Sequence, residues 1–451
     1  MRVLFLIAGM LILSGCATIQ MESTWDTARK YYIQGLLYET TGDFENALAQ
    51  YKKSVETSPD NSFIYGKIAR TLLKQKRYSE AEKMFLNAIK LDEKDAENYL
   101  NLGLTYYYMK YYEKAITSME KGLRIKEYPS YRMHLCDLYT LTGNYEKAFD
   151  SYKILIDSFP SNFLLYYNSG LILEKQDKNK EAEEYFKKAI KLQPNFAKSY
   201  IALANIYEKQ NNLAEAITNY NKAIEISQED PLPYEKLVEI YLKQNNFKEA
   251  ENVLTKVVKK NIQSSKLNQI LGFISFQNKK YSDAEIFYKR ALMIKEDSET
   301  WFNLGVVYDK MENKKEMEKC MRRAIEIDPN YHLALNYLGY SLLLQDKNID
   351  EAFKMIKKAV EIEPENGAYL DSLGWAYFKK GNYKTAEKFL LKAQQKEKDP
   401  EIYEHLGYLY YRMNNHIKAI YWWARSQEIS PKQEISQMIE KSKQELSIRK
   451  K

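Results

Sequence analysis

A recurring alanine marks a repeat of 33 to 35 residues along most of the chain. An aromatic or large apolar residue follows each marker after four positions, and in most repeats a small residue follows three positions later. Apolar residues at this spacing lie on one face of a helix, so each repeat is predicted to contain two amphipathic helices. The twelve markers, with methionine at the ninth, are Ala47, Ala81, Ala115, Ala148, Ala182, Ala216, Ala250, Ala284, Met317, Ala352, Ala386 and Ala419.

A second position, about twelve residues before the marker, is always small or of moderate size, and in eight repeats it is glycine. Glycine inside a helix costs about 1 kcal/mol relative to alanine. Its recurrence at one register therefore indicates that two helices approach closely there. The eight glycines are Gly35, Gly103, Gly170, Gly272, Gly305, Gly339, Gly374 and Gly407.

These positions resemble the tetratricopeptide repeat, whose pattern is W-x2-L-G-x2-Y, then A-x3-F, then P. Trp301, Leu304, Gly305 and Tyr308 match its first half. The resemblance covers about nine-tenths of the chain. It implies an all-α, right-handed superhelical solenoid of about twelve helix-turn-helix repeats, without a sheet and without a compact domain break. After the last repeat, one helical face predicts a capping helix through Ile435, Met438, Ile439 and Leu446.

The predicted organisation has four parts. A signal peptide covers 1–15, a lipidated cysteine with a short tether covers 16–27, twelve tandem repeats cover 28–433, and a capping helix with a basic tail covers 434–451.

The N-terminal prediction rests on Arg2 and on the apolar run Val3–Leu13, which is too short to span a bilayer. The following Leu-Ser-Gly-Cys resembles the lipobox of bacterial lipoproteins, which implies cleavage before Cys16 and acylation of its thiol, with palmitate among the lipids. Because Ala17 follows, the resemblance favours a lipid-anchored protein of the bacterial envelope, at the outer membrane and facing the periplasm. The alternative is an ordinary secretory signal with a chance cysteine.

Composition narrows the classes of function. The chain is 45% hydrophobic and 29% charged, which excludes a disordered protein and a membrane bundle. Its net charge is +7, with both signs interspersed, so we expect no nucleic-acid partner. The 39 tyrosines, against 17 phenylalanines, indicate one type of position that recurs many times.

No pattern of catalytic or metal-binding residues stands out. The four histidines form no spaced metal pair, and neither a phosphate-binding loop nor a nucleophile elbow is present. We therefore expect no enzyme activity, no cofactor and no metal. Cys136 occupies the small position of its repeat, which favours a buried structural thiol.

The family resemblance implies that positions two, five, nine and twelve of each first helix face a concave groove. Tyr340, Trp375 and Tyr408 occupy the ninth position of three consecutive repeats, so they are expected to form a ladder of rings that binds a protein or an extended peptide. The alternative is that such rings pack against neighbouring helices. The candidate groove residues are Phe273, Phe276, Phe302, Tyr340, Trp375, Phe378, Tyr408 and Tyr411.

The C-terminal stretches LALNYLGYSLL, ENGAYLDSLGWAYF and EIYEHLGYLYY resemble repeats of outer-membrane lipoprotein adaptors. Those adaptors deliver cell-wall hydrolases to a periplasmic C-terminal processing protease. The resemblance implies a membrane-anchored, periplasm-facing scaffold that links a protease or a cell-wall enzyme to its client. The alternative is an assembly factor for the export of pili, polysaccharide or outer-membrane proteins.

Overall fold

The structure is a computed structural model, and it describes residues 25–449. The predicted signal peptide, Cys16 and most of the tether lie outside the described residues. Within them every regular element is an α-helix and no strand occurs. Twelve consecutive helix pairs are followed by one further helix, which confirms the all-α prediction of about twelve helix-turn-helix repeats with a helix after the last.

The chain divides into two compact units, with the boundary between Gln228 and Glu229. The expectation of a stack without a compact domain break is therefore wrong. The physical reason is that each helix pair of a repeat protein packs mainly on its neighbours, so a boundary can fall at a joint between repeats.

The first compact unit holds six helix pairs. They are α1 (25–40), α2 (Phe44–Thr57), α3 (Ser62–Lys74), α4 (Tyr78–Leu91), α5 (Ala96–Tyr108), α6 (Tyr112–Ile125), α7 (Pro129–Leu141), α8 (Tyr145–Ser158), α9 (Phe163–Lys175), α10 (Asn179–Leu192), α11 (Ala197–Lys209) and α12 (Leu213–Ile226).

The second compact unit holds six further pairs and the final helix. They are α13 (Pro231–Lys243), α14 (Phe247–Lys259), α15 (Ser265–Gln277), α16 (Tyr281–Ile294), α17 (Ser298–Lys310), α18 (Lys314–Ile327), α19 (His332–Leu344), α20 (Ile349–Ile362), α21 (Gly367–Lys379), α22 (Tyr383–Lys396), α23 (Pro400–Arg412), α24 (His416–Ile429) and α25 (Gln433–Arg449).

Close contact between a small and a large residue holds each pair together. At every one of the eight predicted glycines, an added Cβ would lie less than 3.0 Å from the side chain four residues after the marker. In α9 that atom would stand 2.6 Å from the ring of Phe186, and in α23 it would stand 2.3 Å from the ring of Trp423. The two helices therefore pack at a distance that only the missing side chain permits.

A tyrosine near the end of a first helix links neighbouring repeats within each compact unit. Its ring is buried, and its hydroxyl donates to a glutamate one residue after the marker of the preceding repeat. Phenylalanine could fill the same space but could not donate, which accounts for part of the surplus of tyrosine. The bonds join Tyr106 to Glu82 (3.0 Å), Tyr207 to Glu183 (3.1 Å), Tyr308 to Glu285 (2.9 Å) and Tyr410 to Glu387 (2.6 Å).

The helix α25 covers the last repeat, as the sequence predicts. Ile435 is buried, and Met438 and Ile439 pack against the same apolar cluster, which includes Leu406 and Trp423. A helix with one apolar face closes the end of the core in this way.

The glycine contact gives a prediction for Gly407→Ala. The new methyl group would overlap the ring of Trp423, so we expect the free energy of unfolding to fall by about 1–3 kcal/mol. Loss of amide protection in hydrogen exchange should concentrate in α23 and α24, because repeats lose stability locally. Lys388→Ala, at an exposed site on α22, is the control. Equal stability of the two variants would show that the helices do not require glycine at this contact.

Candidate functional site

Trp375 lies inside the packing and not on an open wall. Its side chain is only 9% exposed. The indole stacks on Phe378, with ring centroids 4.5 Å apart, and on His405, with centroids 4.1 Å apart. The structure therefore corresponds to the alternative in which this ring packs against neighbouring helices. The physical reason is that α23 brings His405 against the indole face that was expected to be free.

The expected ladder contains an additional ring. Trp375 and Tyr408 are neighbours, with centroids 6.2 Å apart. Between Trp375 and Tyr340, however, stands His405, whose ring is 6.1 Å from that of Tyr340. The Tyr340 hydroxyl also lies 3.4 Å from His405 Nε2 and donates to Glu401. Three first helices thus meet at a histidine that the sequence analysis did not single out.

His405 forms a buried pair with Asp371. The imidazole Nδ1 lies 2.9 Å from both carboxylate oxygens, and the two residues are 5% and 6% exposed. Burial alone would lower the pKa of His405. The neighbouring carboxylate of Asp371 outweighs burial and raises this pKa above its ordinary value.

The final helix, α25, accepts hydrogen bonds from the hydroxyls of two predicted groove residues. Tyr408 donates its hydroxyl to Glu434 (3.1 Å), and Tyr411 donates to Glu445 (2.9 Å), both on α25. Burial and the bond to Glu434 raise the pKa of Tyr408 to about 12. These tyrosines therefore serve the attachment of α25.

Two more candidates pack within the second compact unit. Phe302 is half-buried between Tyr331 and Tyr337, with both ring centroids 5.8 Å away. Phe276 is half-buried against Tyr281, at 5.7 Å. Among the eight candidates only Phe273 is mostly exposed, at 55%.

Phe273 lines a groove formed by residues of α13 to α17, which include the second helices α14 and α16 that the sequence analysis did not assign to a groove. Its volume is about 990 Å³. Apolar side chains of α14 and α15 face it, including Phe247, which is 64% exposed, Leu254 and Ile274. The charged groups along the groove are balanced, three of each sign: Lys259, Lys266, Lys280, Glu251, Asp283 and Glu299.

The turn after α14 differs from the other joints of this compact unit. At those other joints, the last residue of the second helix is followed by extended or near-extended backbone, as at Lys295. After α14 the chain instead enters the left-handed region at Asn261 (φ 51°), and Ile262 N–H donates back to the carbonyl of Val257. The same turn joins the two helices inside repeats. Asparagine tolerates this conformation, so a sequence signal for the unusual joint was present at Asn261.

The described residues offer few other features that indicate metal binding, nucleophilic reactivity or membrane insertion. No group of three or more His, Cys, Asp or Glu side chains within 25–449 could hold a metal ion. Cys136 and Cys320 are buried free thiols, and burial raises the pKa of each to about 12. Thiols with such a high pKa are poor nucleophiles. Within the same residues no helix combines the length and apolar character that crossing a bilayer requires.

The packing of Trp375 gives a second prediction. Trp375→Ala should lower the free energy of unfolding by about 3–5 kcal/mol, as expected for truncation of a buried aromatic side chain. Thermal denaturation measures the change. Phe273→Ala is the matched control, and its melting temperature should stay close to that of the unmodified chain. Equal melting temperatures for the two variants would show that Trp375 is not part of the packing.

Comparisons with known proteins agree with this architecture. Three family models described as tetratricopeptide repeat match the chain, and together they cover about two thirds of it. The matched residues are 40–103, 209–272 and 343–414 for one model, 161–229 for the second, and 96–129 and 298–331 for the third.

The chain is similar to several larger proteins. It is 25% identical to the BBSome complex member BBS4 of Bos taurus, over 38% of this chain and 33% of that protein. It is 27% identical to the protein O-mannosyl-transferase TMTC1 of Homo sapiens, over 36% of this chain and 19% of that protein. The chain thus spans a third or less of the length of these curated relatives.

Among solved structures, the chain is similar to Naa15/Naa10 bound to HypK-THB. The TM-score is 0.46 at 13% identity, covering 88% of this chain and 68% of that one. With the family models matched over about two thirds of the sequence, and with twelve helix pairs described, the chain belongs to the tetratricopeptide repeat family.

Proposed function

We propose that this protein is a scaffold that binds an apolar segment of a protein partner in the groove over α14 and α15. The observation that carries the proposal is the groove itself, about 990 Å³ in volume, with Phe247 and Phe273 largely exposed on its walls. Exposed apolar surface of this kind, rimmed by polar groups, is typical of protein interaction sites.

The chemistry of the groove supports recognition by shape and apolar contact. The charges along it balance, so they give no preference for a strongly acidic or basic partner. Most of the apolar lining comes from two neighbouring helices, α14 and α15, and follows their length. Such a surface suits an apolar peptide segment, with the two phenylalanines as anchors.

The finer proposal concerns where the scaffold works. It is anchored to the bacterial outer membrane by a lipid on Cys16, faces the periplasm, and links a protease or a cell-wall enzyme to its client. The support is the sequence from Leu13 to Cys16, with the resemblance of the C-terminal repeats to lipoprotein adaptors. The proposal assigns the chain itself no catalytic step. Capture of an export or pilus component would instead favour the role of an assembly factor.

The groove can be tested with Phe273→Lys in a soluble form of the chain that carries Cys16→Ser. A lysine there places a charge among apolar side chains, so binding of the partner should weaken by about 2 kcal/mol or more. Affinity capture from envelope extract, followed by measurement of Kd for the identified protein, gives the result.

The matched control is Met293→Lys. Met293 is 87% exposed, lies on α16 and does not line the groove. It should leave the captured protein and its Kd unchanged. If Phe273→Lys and Met293→Lys bind that protein equally well, the groove is not the binding site.

The lipid anchor is tested with Cys16→Ser in the full chain. The serine hydroxyl cannot replace the thiol as lipid acceptor, so the protein should move from the membrane to the soluble fraction. Cys136→Ala is the control, because other repeats carry alanine at that small position. Retention of Cys16→Ser in membranes as tightly as the unmodified chain would refute the anchor.

A further inference from the structure

His405 connects three consecutive first helices of the second compact unit. It lies on α23, and its Nδ1 contacts Asp371 on α21 at 2.9 Å. Its Nε2 is 3.4 Å from the Tyr340 hydroxyl on α19. One face of the imidazole stacks on the indole of Trp375, with an angle of 16° between the rings. Within 25–449 the rings of His134, His332 and His416 contact tyrosines and no tryptophan.

The groups that face His405 come from several elements. Glu401 and Glu404 on its own helix add negative charge beside Asp371. The charge of Glu404 is paired with Lys432 at 2.7 Å, and Ser426 donates to the same carboxylate at 3.0 Å. The titratable and charged groups around the imidazole and the adjoining indole are Tyr340, Asp371, Lys379, Glu401, Glu404, Tyr408 and Lys432.

The negative charge of the buried Asp371 carboxylate is balanced by the proton on His405. Its carboxylate is 6% exposed, and within the described residues His405 is the one cationic side chain in salt-bridge contact with it. Lys379 stands over the indole of Trp375 and pairs with Asp346. A neutral imidazole could still donate its Nδ1–H to Asp371, but it would leave the buried carboxylate without a counter-charge, which destabilises the folded state.

We propose that His405 is a proton-operated tie between α19, α21 and α23. With the proton in place, the ion pair to Asp371 and the stack on Trp375 hold the three helices together. Loss of the proton removes the counter-charge of Asp371 and loosens α21 and α23. The aromatic face that carries Tyr340, Trp375 and Phe378 then becomes mobile. The device responds to alkaline shifts and needs no bound partner.

The direction of the response follows from the sign of the shift. Asp371 raises the pKa of His405 above its ordinary value. A raised histidine pKa stabilises the fold fully below the unfolded value of about 6.5. That contribution is lost as the pH rises through the folded pKa. The tie is therefore closed in mildly acidic solution and opens as the solution becomes alkaline.

Tryptophan fluorescence of the full chain reports the proton directly, because a stacked imidazolium quenches an excited indole. Titration from about pH 5 to about pH 9 should show emission rising with a midpoint above about 6.5. The transition should vanish in His405→Gln and in Trp375→Phe. It should persist in His332→Gln, the matched control, since His332 lies on α19 and bonds to Tyr369 without touching an indole.

Two further measurements complete the test. Asp371→Asn should move the midpoint down by about one pH unit or more, because the opposing charge is gone. Hydrogen exchange of the unmodified chain should show faster exchange in α21 and α23 above the midpoint, with α15 and α16 unchanged, after correction for the intrinsic effect of pH. The proposal is overturned by a transition that survives His405→Gln, by a midpoint that Asp371→Asn leaves in place, or by exchange in α21 that is the same on both sides of the midpoint.

Discussion

The contact between a small residue on the first helix and a large side chain on the second underlies the rest of the structure. At Gly170 and Gly407 the partner ring lies too close to leave room for a Cβ. Each helix pair closes on this contact, and the closed pair presents a fixed set of side chains to its neighbours. The buried tyrosines, such as Tyr308, then add a hydrogen bond from one repeat to the preceding one. Packing between repeats thus depends on the packing inside each repeat, because the closed helix pair sets which side chains face its neighbours.

The same constraint brings distant residues together. First helices of consecutive repeats lie side by side, so Asp371 on α21 meets His405 on α23 although 34 positions separate them. The groove over α14 and α15, in contrast, lies where the chain departs from the repeat. The left-handed turn at Asn261 replaces the usual joint, and the apolar walls that carry Phe247 and Phe273 stay largely exposed. The surface to which we assign binding therefore lies next to a joint that departs from the repeat.

The sequence predicted the helix pairs, the close glycine contacts and the final helix, because each depends on residues within one repeat. It did not predict exposure along the first helices, since exposure depends on what neighbouring helices contribute. Trp375 fits the register of a groove residue, yet His405 covers its face. Tyr408 and Tyr411 fit the same register, yet α25 binds their hydroxyls. The joint at Asn261 had a local signal, but no repeat pattern predicts the groove beside it.

The central claim is that a protein segment lies in the groove over α14 and α15. Site-specific photo-crosslinking in living cells tests it most directly, with p-benzoylphenylalanine in place of Phe247 and, as reference, in place of Met293. We expect one predominant crosslinked protein from position 247, joined through an apolar segment, and none of it from position 293. Equal crosslinking from both positions, or no protein adduct from position 247, would contradict the account.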